Sequence, residues 1–180
     1  MVRRAIHATV DFSYAKELRF HPQAIEVAVR AIQAGNNIVA DVGMVKAGIS
    51  VPHCEKFGIK VLCFIDEPEV KKIALKEGCT RAIASMRYGI KEIDGAIVAI
   101  GNAPTALDEL CNLIRKNKVK PALVIGIPIG FVGAKESKIK LMKLNVPYIA
   151  NKSEKGGSTI AVAIVNALLR IAEQRNGKAN

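Results

Sequence analysis

Residues 122–138 read ALVIGIPIGFVGAKESK. The run Ala122 to Ile125 is apolar without alternation, which is how a strand covered on both faces reads. Gly126, Pro128, Gly130 and Gly133 then break the run, and a lysine-rich segment follows. A buried strand that empties into a loop of backbone and aliphatic side chains is a unit of an open parallel sheet. In such sheets ligands sit beyond the carboxyl ends of the strands.

The same design recurs outward from this stretch. Asn37–Val42, Lys60–Ile65, Gly95–Ile100, Pro121–Ile125 and a short Pro147–Ala150 read as β-branched, continuous strands. Between them lie helical patterns. His21–Ala34 carries Ala24, Ile25, Ala28, Val29 and Ile32 on one face. Pro68–Glu77 has proline early and Gly78 just past its end. Thr105–Lys116 opens on Thr105 and Asp108 in the manner of a capping box, and Ser158–Gln174 is Ala-rich and apolar. Alternating strands and helices predict an α/β fold, a three-layer α/β/α sandwich around a mostly parallel sheet. No linker or low-complexity tract divides the chain, so residues 1–180 are expected to form a single domain.

The formal net charge of +11 favours polyanionic partners: nucleic acid, an acidic membrane surface, or a small molecule with many carboxylates or phosphates. Cys54, Cys63, Cys79 and Cys111 are widely spaced with no CxxC pair, which argues against a zinc site and for reduced thiols in a cytoplasmic protein. The N-terminal MVRRAIHATVDF lacks the apolar region of a secretory signal, and no run reaches the ~18–20 apolar residues of a membrane span.

The glycines invite phosphate-loop readings, and these fail. The stretch from Gly126 does not supply G-x-x-x-x-G-K-[ST], and Gly130 with Gly133 give only the last half of a dinucleotide fingerprint, late in the chain. Gly126 and Gly130 can equally serve tight turns or close packing. Gly156-Gly157-Ser158 precedes the final helix. The stretch offers backbone N–H groups to an anion, with Lys152 and Lys155 nearby, or Ser158 is simply a helix cap. Of three histidines, His21 reads as a boundary residue and His53 as a surface one. His7 lies beside Arg3, Arg4 and Thr9, the first two of them cations.

Taken in order, RRAIHATVDF, DVGMVKAGI, GCTRAIA, AIVAIGNAPTAL, PALVIGIPIGFVGAKESK and KGGSTIAVAIVNALL resemble the precorrin-8X methylmutases of cobalamin biosynthesis. The likeness runs from about Arg3 to Leu169. It implies a homodimer with active sites near the subunit interface, and migration of a methyl group from C11 to C12 of a corrinoid polycarboxylate. His7, in the IHAT segment, maps onto the family's catalytic histidine as the proton donor. Such a shift needs no nucleophile, nicotinamide or protein-bound metal, so no cofactor is expected; it needs an oriented ring and one proton donor. Arg81 is expected to meet a substrate carboxylate. Arg3, Arg4, Thr9, Lys46, Thr80, Asn102, Gly130 and Ser158 are the further candidates for substrate contact.

The sequence departs from the family pattern in three places. The segment that family members carry before the RR.IHAT motif does not precede it here, so its contacts are expected to be lost or replaced. Val10 stands where glycine is usual, and Lys155 where arginine is usual before the glycine pair; lysine lacks the bidentate grip of arginine. Two other readings compete: a nucleic-acid-binding module, against which dispersed basic residues and scarce aromatics argue, and a corrinoid carrier without catalysis.

Overall fold

The computed structural model describes residues 1–177. Its elements in chain order are α1 (Val2–Thr9), α2 (Tyr14–Glu17), β1 (Leu18–Phe20), α3 (Ala24–Gln33), β2 (Ile38–Ala40), α4 (Gly43–Gly48), α5 (Val51–Glu55), β3 (Val61–Leu62), α6 (Pro68–Glu77), α7 (Arg81–Tyr88), α8 (Ile90–Ile93), β4 (Ile97–Ile100), α9 (Pro104–Arg115), β5 (Leu123–Gly126), α10 (Ala134–Met142), β6 (Tyr148–Asn151) and α11 (Ser158–Asn176). The strands form one sheet in the order β1-β6-β5-β4-β2-β3. All pairs are parallel except the edge pair of β1 and β6.

The continuous apolar strands follow from burial on both faces. Ile38, Ala40, Ile97, Ala99, Leu123, Ile125 and Ile149 pack into one core with α1, α3, α4, α5 and α11. Their neighbours Val39, Val98, Ile100, Val124 and Ala150 point the other way, into a second core with α7, α8, α9 and α10. With alternate residues on opposite faces, each strand serves both layers, and the α/β/α architecture read from the sequence is the one observed. Each fully buried Ile or Leu in these cores contributes about 1.5–3 kcal/mol.

Three local readings are corrected. Helix α9 starts at Pro104 with Ala103 as its cap residue, and neither Thr105 nor Asp108 caps it; proline lacks the N–H that a cap would satisfy. Ser158 is the first helical residue of α11, and Gly157 holds the cap position. Helix α3 begins at Ala24 rather than His21, whose N–H instead donates to the Tyr148 carbonyl at 2.9 Å. Strand β1 and the short helices α1, α2, α4, α5, α7, α8 and α10, of four to nine residues each, are not among the elements read from the sequence.

Candidate functional site

The strand order reverses between β2 and β4, the switch point where open sheets place ligands. Asp41, the first residue after β2, is fully buried there. Its Oδ1 accepts from the Gly101 N–H at 3.0 Å, and its Oδ2 from Asn102 and Ala103 at 2.8 and 2.9 Å. Burial pushes the Asp41 carboxyl above its ordinary value, and the three N–H donors pull against that shift. The carboxylate thus shapes the turn that delivers Asn102 and starts α9. A Cβ built at Gly101 would stand 2.8 Å from the Ser158 Cα, so this turn and the start of α11 touch through a bare glycine.

Beyond β5 the quoted loop runs over the start of α9. Ile127 and Pro128 are buried, whereas Ile129, Phe131 and Val132 are exposed. Gly130 adopts φ +150° and Gly133 φ +76°, backbone shapes that L side chains resist. The loop is stitched to the one after β6: Gly157 N donates to Ile127 O at 3.0 Å, and Gly130 N to Glu154 O at 3.2 Å. Gly156 is wedged most tightly. A Cβ there would lie 2.5 Å from both the Ile127 and the Pro128 carbonyl oxygens.

These loops meet the end of α1 at a recess of about 410 Å³ lined by Ala8, Thr9, Asp11, Tyr14, Ile129, Lys155, Gly156 and Thr159. Lys155 Nζ donates to Asp11 Oδ2 at 2.7 Å and to Ser13 Oγ at 3.0 Å. The Lys155 contact, with hydrogen bonds from the Ser13 N–H and hydroxyl, holds the Asp11 carboxyl down at about 2. In the first turn of α11 the N–H groups of Ser158, Thr159 and Ile160 have no helical partner by construction, which gives the recess donors for carboxylates. Val10, Phe12, Ile129, Phe131 and Val132 add exposed apolar surface close by in the chain.

The structure gathers some of the sequence-derived candidates and separates others. Thr9 lines the recess, its Oγ1 donating back to Ala5 O at 2.9 Å. Asn102 and Ser158 adjoin through Gly101, and Gly130 lies over Pro104. Thr80 caps α7 by accepting from the Ile83 N–H at 3.2 Å and contacts Thr105 at 3.4 Å. Arg81 is exposed and pairs with Asp66 at 3.3 Å, and Lys46 is an exposed residue of α4. Arg3, Arg4 and His7 do not line the recess. They flank a groove of about 530 Å³ between α1 and the Ala167, Arg170, Ile171 and Gln174 face of α11. A smaller groove of about 160 Å³ at Arg4, His7 and Asn166 meets the recess at Ala8.

Sequence reasoning missed Asp41 and Lys138. Asp41 was legible as a carboxylate ending an apolar run. Lys138 hid in a lysine-rich segment, yet Ala134, Lys138 and Leu141 share the helical spacing of a buried face. The four cysteines are free, with Cys54 and Cys111 buried; burial pushes the Cys111 thiol up to about 12. No helix among the described residues is long and apolar enough to cross a membrane.

The family model for precorrin-8X methylmutase matches residues 1–171. The cobalt-precorrin-8 methylmutase of Priestia megaterium is 49% identical over 173 residues, covering 96% of this chain and 77% of the relative. That of Methanocaldococcus jannaschii is 46% identical over 179 residues, covering 99% and 81%. The crystal structure of precorrin-8X methylmutase from Thermus thermophilus superposes with a TM-score of 0.90 at 42% identity, over 97% of this chain and 85% of that one. The chain therefore belongs to the precorrin-8X methylmutase family, isomerases of cobalamin biosynthesis.

Proposed function

We propose that this protein moves a methyl group from C11 to C12 of precorrin-8X or cobalt-precorrin-8, giving hydrogenobyrinate or its cobalt form, cobyrinate. The bond from C11 to the methyl carbon breaks and the bond from C12 to that carbon forms within one molecule, with no net gain or loss of atoms or electrons. His7 supplies a proton or hydrogen bond to the macrocycle during the shift and recovers it afterwards. General acid–base help of this kind contributes roughly 10²–10⁴-fold.

The observation that carries this reading is the recess at the carboxyl edge of the sheet. Its lining sets Ala8, Ile129 and Gly156 beside Thr9, Tyr14, Thr159 and the Asp11–Lys155 pair, with Lys155 and the first turn of α11 as anion donors. A flat, largely apolar ring with acid arms suits such a surface. Asn102, Ser158, Thr9 and Gly130 supply contacts from the recess side; Lys46, Thr80 and Arg81 extend them along the same edge of the sheet.

At about 410 Å³ the recess is near the low end for small-molecule sites, and the macrocycle extends beyond it. The reading therefore places a second copy of the chain over the exposed Val10, Phe12, Ile129, Phe131 and Val132, in a homodimer whose partner helps bring ring and His7 together. Arg3 and Arg4 then hold acid arms or cross that interface. Residues 1–180 act as one domain, supported by the single sheet.

The test is titration with hydrogenobyrinic acid and with its cobalt form, following the visible spectrum of the ring. A saturable shift at stoichiometric protein supports the reading, and preference between the two ligands identifies the branch served. No shift with either ligand well above micromolar concentration overturns it.

A further inference from the structure

Lys138 is one of the largest fully buried side chains among the described residues, and nothing in the methyl shift calls for it. Its Nζ donates to two backbone carbonyls, Ser153 O at 2.8 Å and Lys155 O at 2.5 Å. Asn151 Nδ2 reaches the same loop, donating to Lys155 O at 2.8 Å and to Ser153 Oγ at 3.1 Å. Two buried side chains thus converge on the Lys155 carbonyl, and Lys138 also holds that of Ser153, which is unusual investment for a surface loop. Burying an ammonium costs several kcal/mol unless hydrogen bonds compensate. The desolvation shows in Lys138 itself: burial pulls its pKa down to about 8, against the opposing pull of Glu154 and Glu17.

The loop so held is the wall of the recess. Lys155 and Gly156 line it, and Gly156 fits only because its backbone is pressed against the Ile127 and Pro128 carbonyls. On the outer side Ser153 donates to Glu17, and Lys155 reaches Asp11. The Lys155–Asp11 tie is exposed and can exchange with ligand, whereas the Lys138 side chain is fully buried. We propose, on the methylmutase reading above, that Lys138 is a positioning residue that fixes the Ser153–Gly157 backbone so that Lys155 and Gly156 meet an acid arm of the corrinoid.

The test compares hydrogenobyrinic acid with its fully esterified form, in the wild-type protein and in Lys138→Met. The wild type prefers the acid. Lys138→Met loses roughly tenfold of that preference, the scale of one charge-assisted contact, while ester affinity stays within about twofold. In turnover the variant raises KM and leaves kcat nearly unchanged, because His7 is untouched. Where Lys138→Met fails to melt cooperatively, Asn151→Ala cuts the second tie to the Lys155 carbonyl and carries the same expectation. Equal losses for acid and ester, or an unchanged preference, overturn the inference. A wild type that binds neither ligand overturns the methylmutase reading itself and this inference with it.

Discussion

Val10 is the position at which a single substitution should improve the protein. It ends α1 with φ 52° and ψ 32°, the left-handed conformation. A β-branched residue is a genuine outlier there, and the strain is about 1–2 kcal/mol. Within one protomer no packing compensates, since the side chain is 89% exposed; the gain is that of the protomer, measured at dilution where no partner copy covers Val10. Val10→Gly removes the strain and returns about 0.5–1 kcal/mol to the entropy of the unfolded chain, leaving a net gain of roughly 0.5–1 kcal/mol. For a chain of this length that raises Tm by about 1–4 °C. Val10→Asn, which tolerates this conformation, gains a similar amount, and Val10→Ala gains less because its Cβ keeps most of the clash. Thermal and urea unfolding of the three variants measure the order. A Val10→Gly protein less stable than the wild type, or an alanine variant that gains as much as glycine, would refute the argument. The left-handed backbone is the physical reason that glycine suits this position.

Other positions carry losses. Gly156→Ala forces a methyl group to within 2.5 Å of two carbonyl oxygens; it should cost about 1–3 kcal/mol and weaken corrinoid binding, read by unfolding and by ring titration. Asp41→Leu orphans the N–H groups of Gly101, Asn102 and Ala103; at about 1–2 kcal/mol each the loss is roughly 3–6 kcal/mol, seen as a large fall in urea midpoint. Lys138 gives a pH signature. Below about 8 it is protonated in both native and unfolded chains; between about 8 and 10.5 the unfolded chain holds the proton and the native one does not. The unfolded state then binds more protons, so stability rises with pH across that window. The difference between wild type and Lys138→Met isolates this rise from Cys54, Cys63 and Cys111, whose raised thiol pKa values act in the opposite sense above pH 9.

How much of this was legible depended on whether the physics was local. Strands β2, β4 and β5 announce themselves because burial on both faces demands unbroken apolar runs, and α6 because Pro68 and Gly78 bracket it. Strand β1, only Leu18–Phe20, exists because β6 offers it an edge, and nothing in three residues reports that. At the site, the glycine-rich loop could be read as close-approach backbone. The grip of Asp41 on residues 60 positions away could not, nor could the role of Lys138, because each depends on partners distant in sequence. The placement of His7 on the α1/α11 groove rather than in the recess was equally hidden, since α1 is too short to declare its orientation.

The most direct test of the account follows turnover of precorrin-8X by the wild type and by His7→Ala, beside hydrogenobyrinic acid binding to both. The account predicts conversion by the wild type, a loss of roughly 10²–10⁴-fold in kcat for His7→Ala, and affinity unchanged within a few-fold. A wild type that binds the corrinoid without converting it, or a His7→Ala protein that converts it at the wild-type rate, would contradict it.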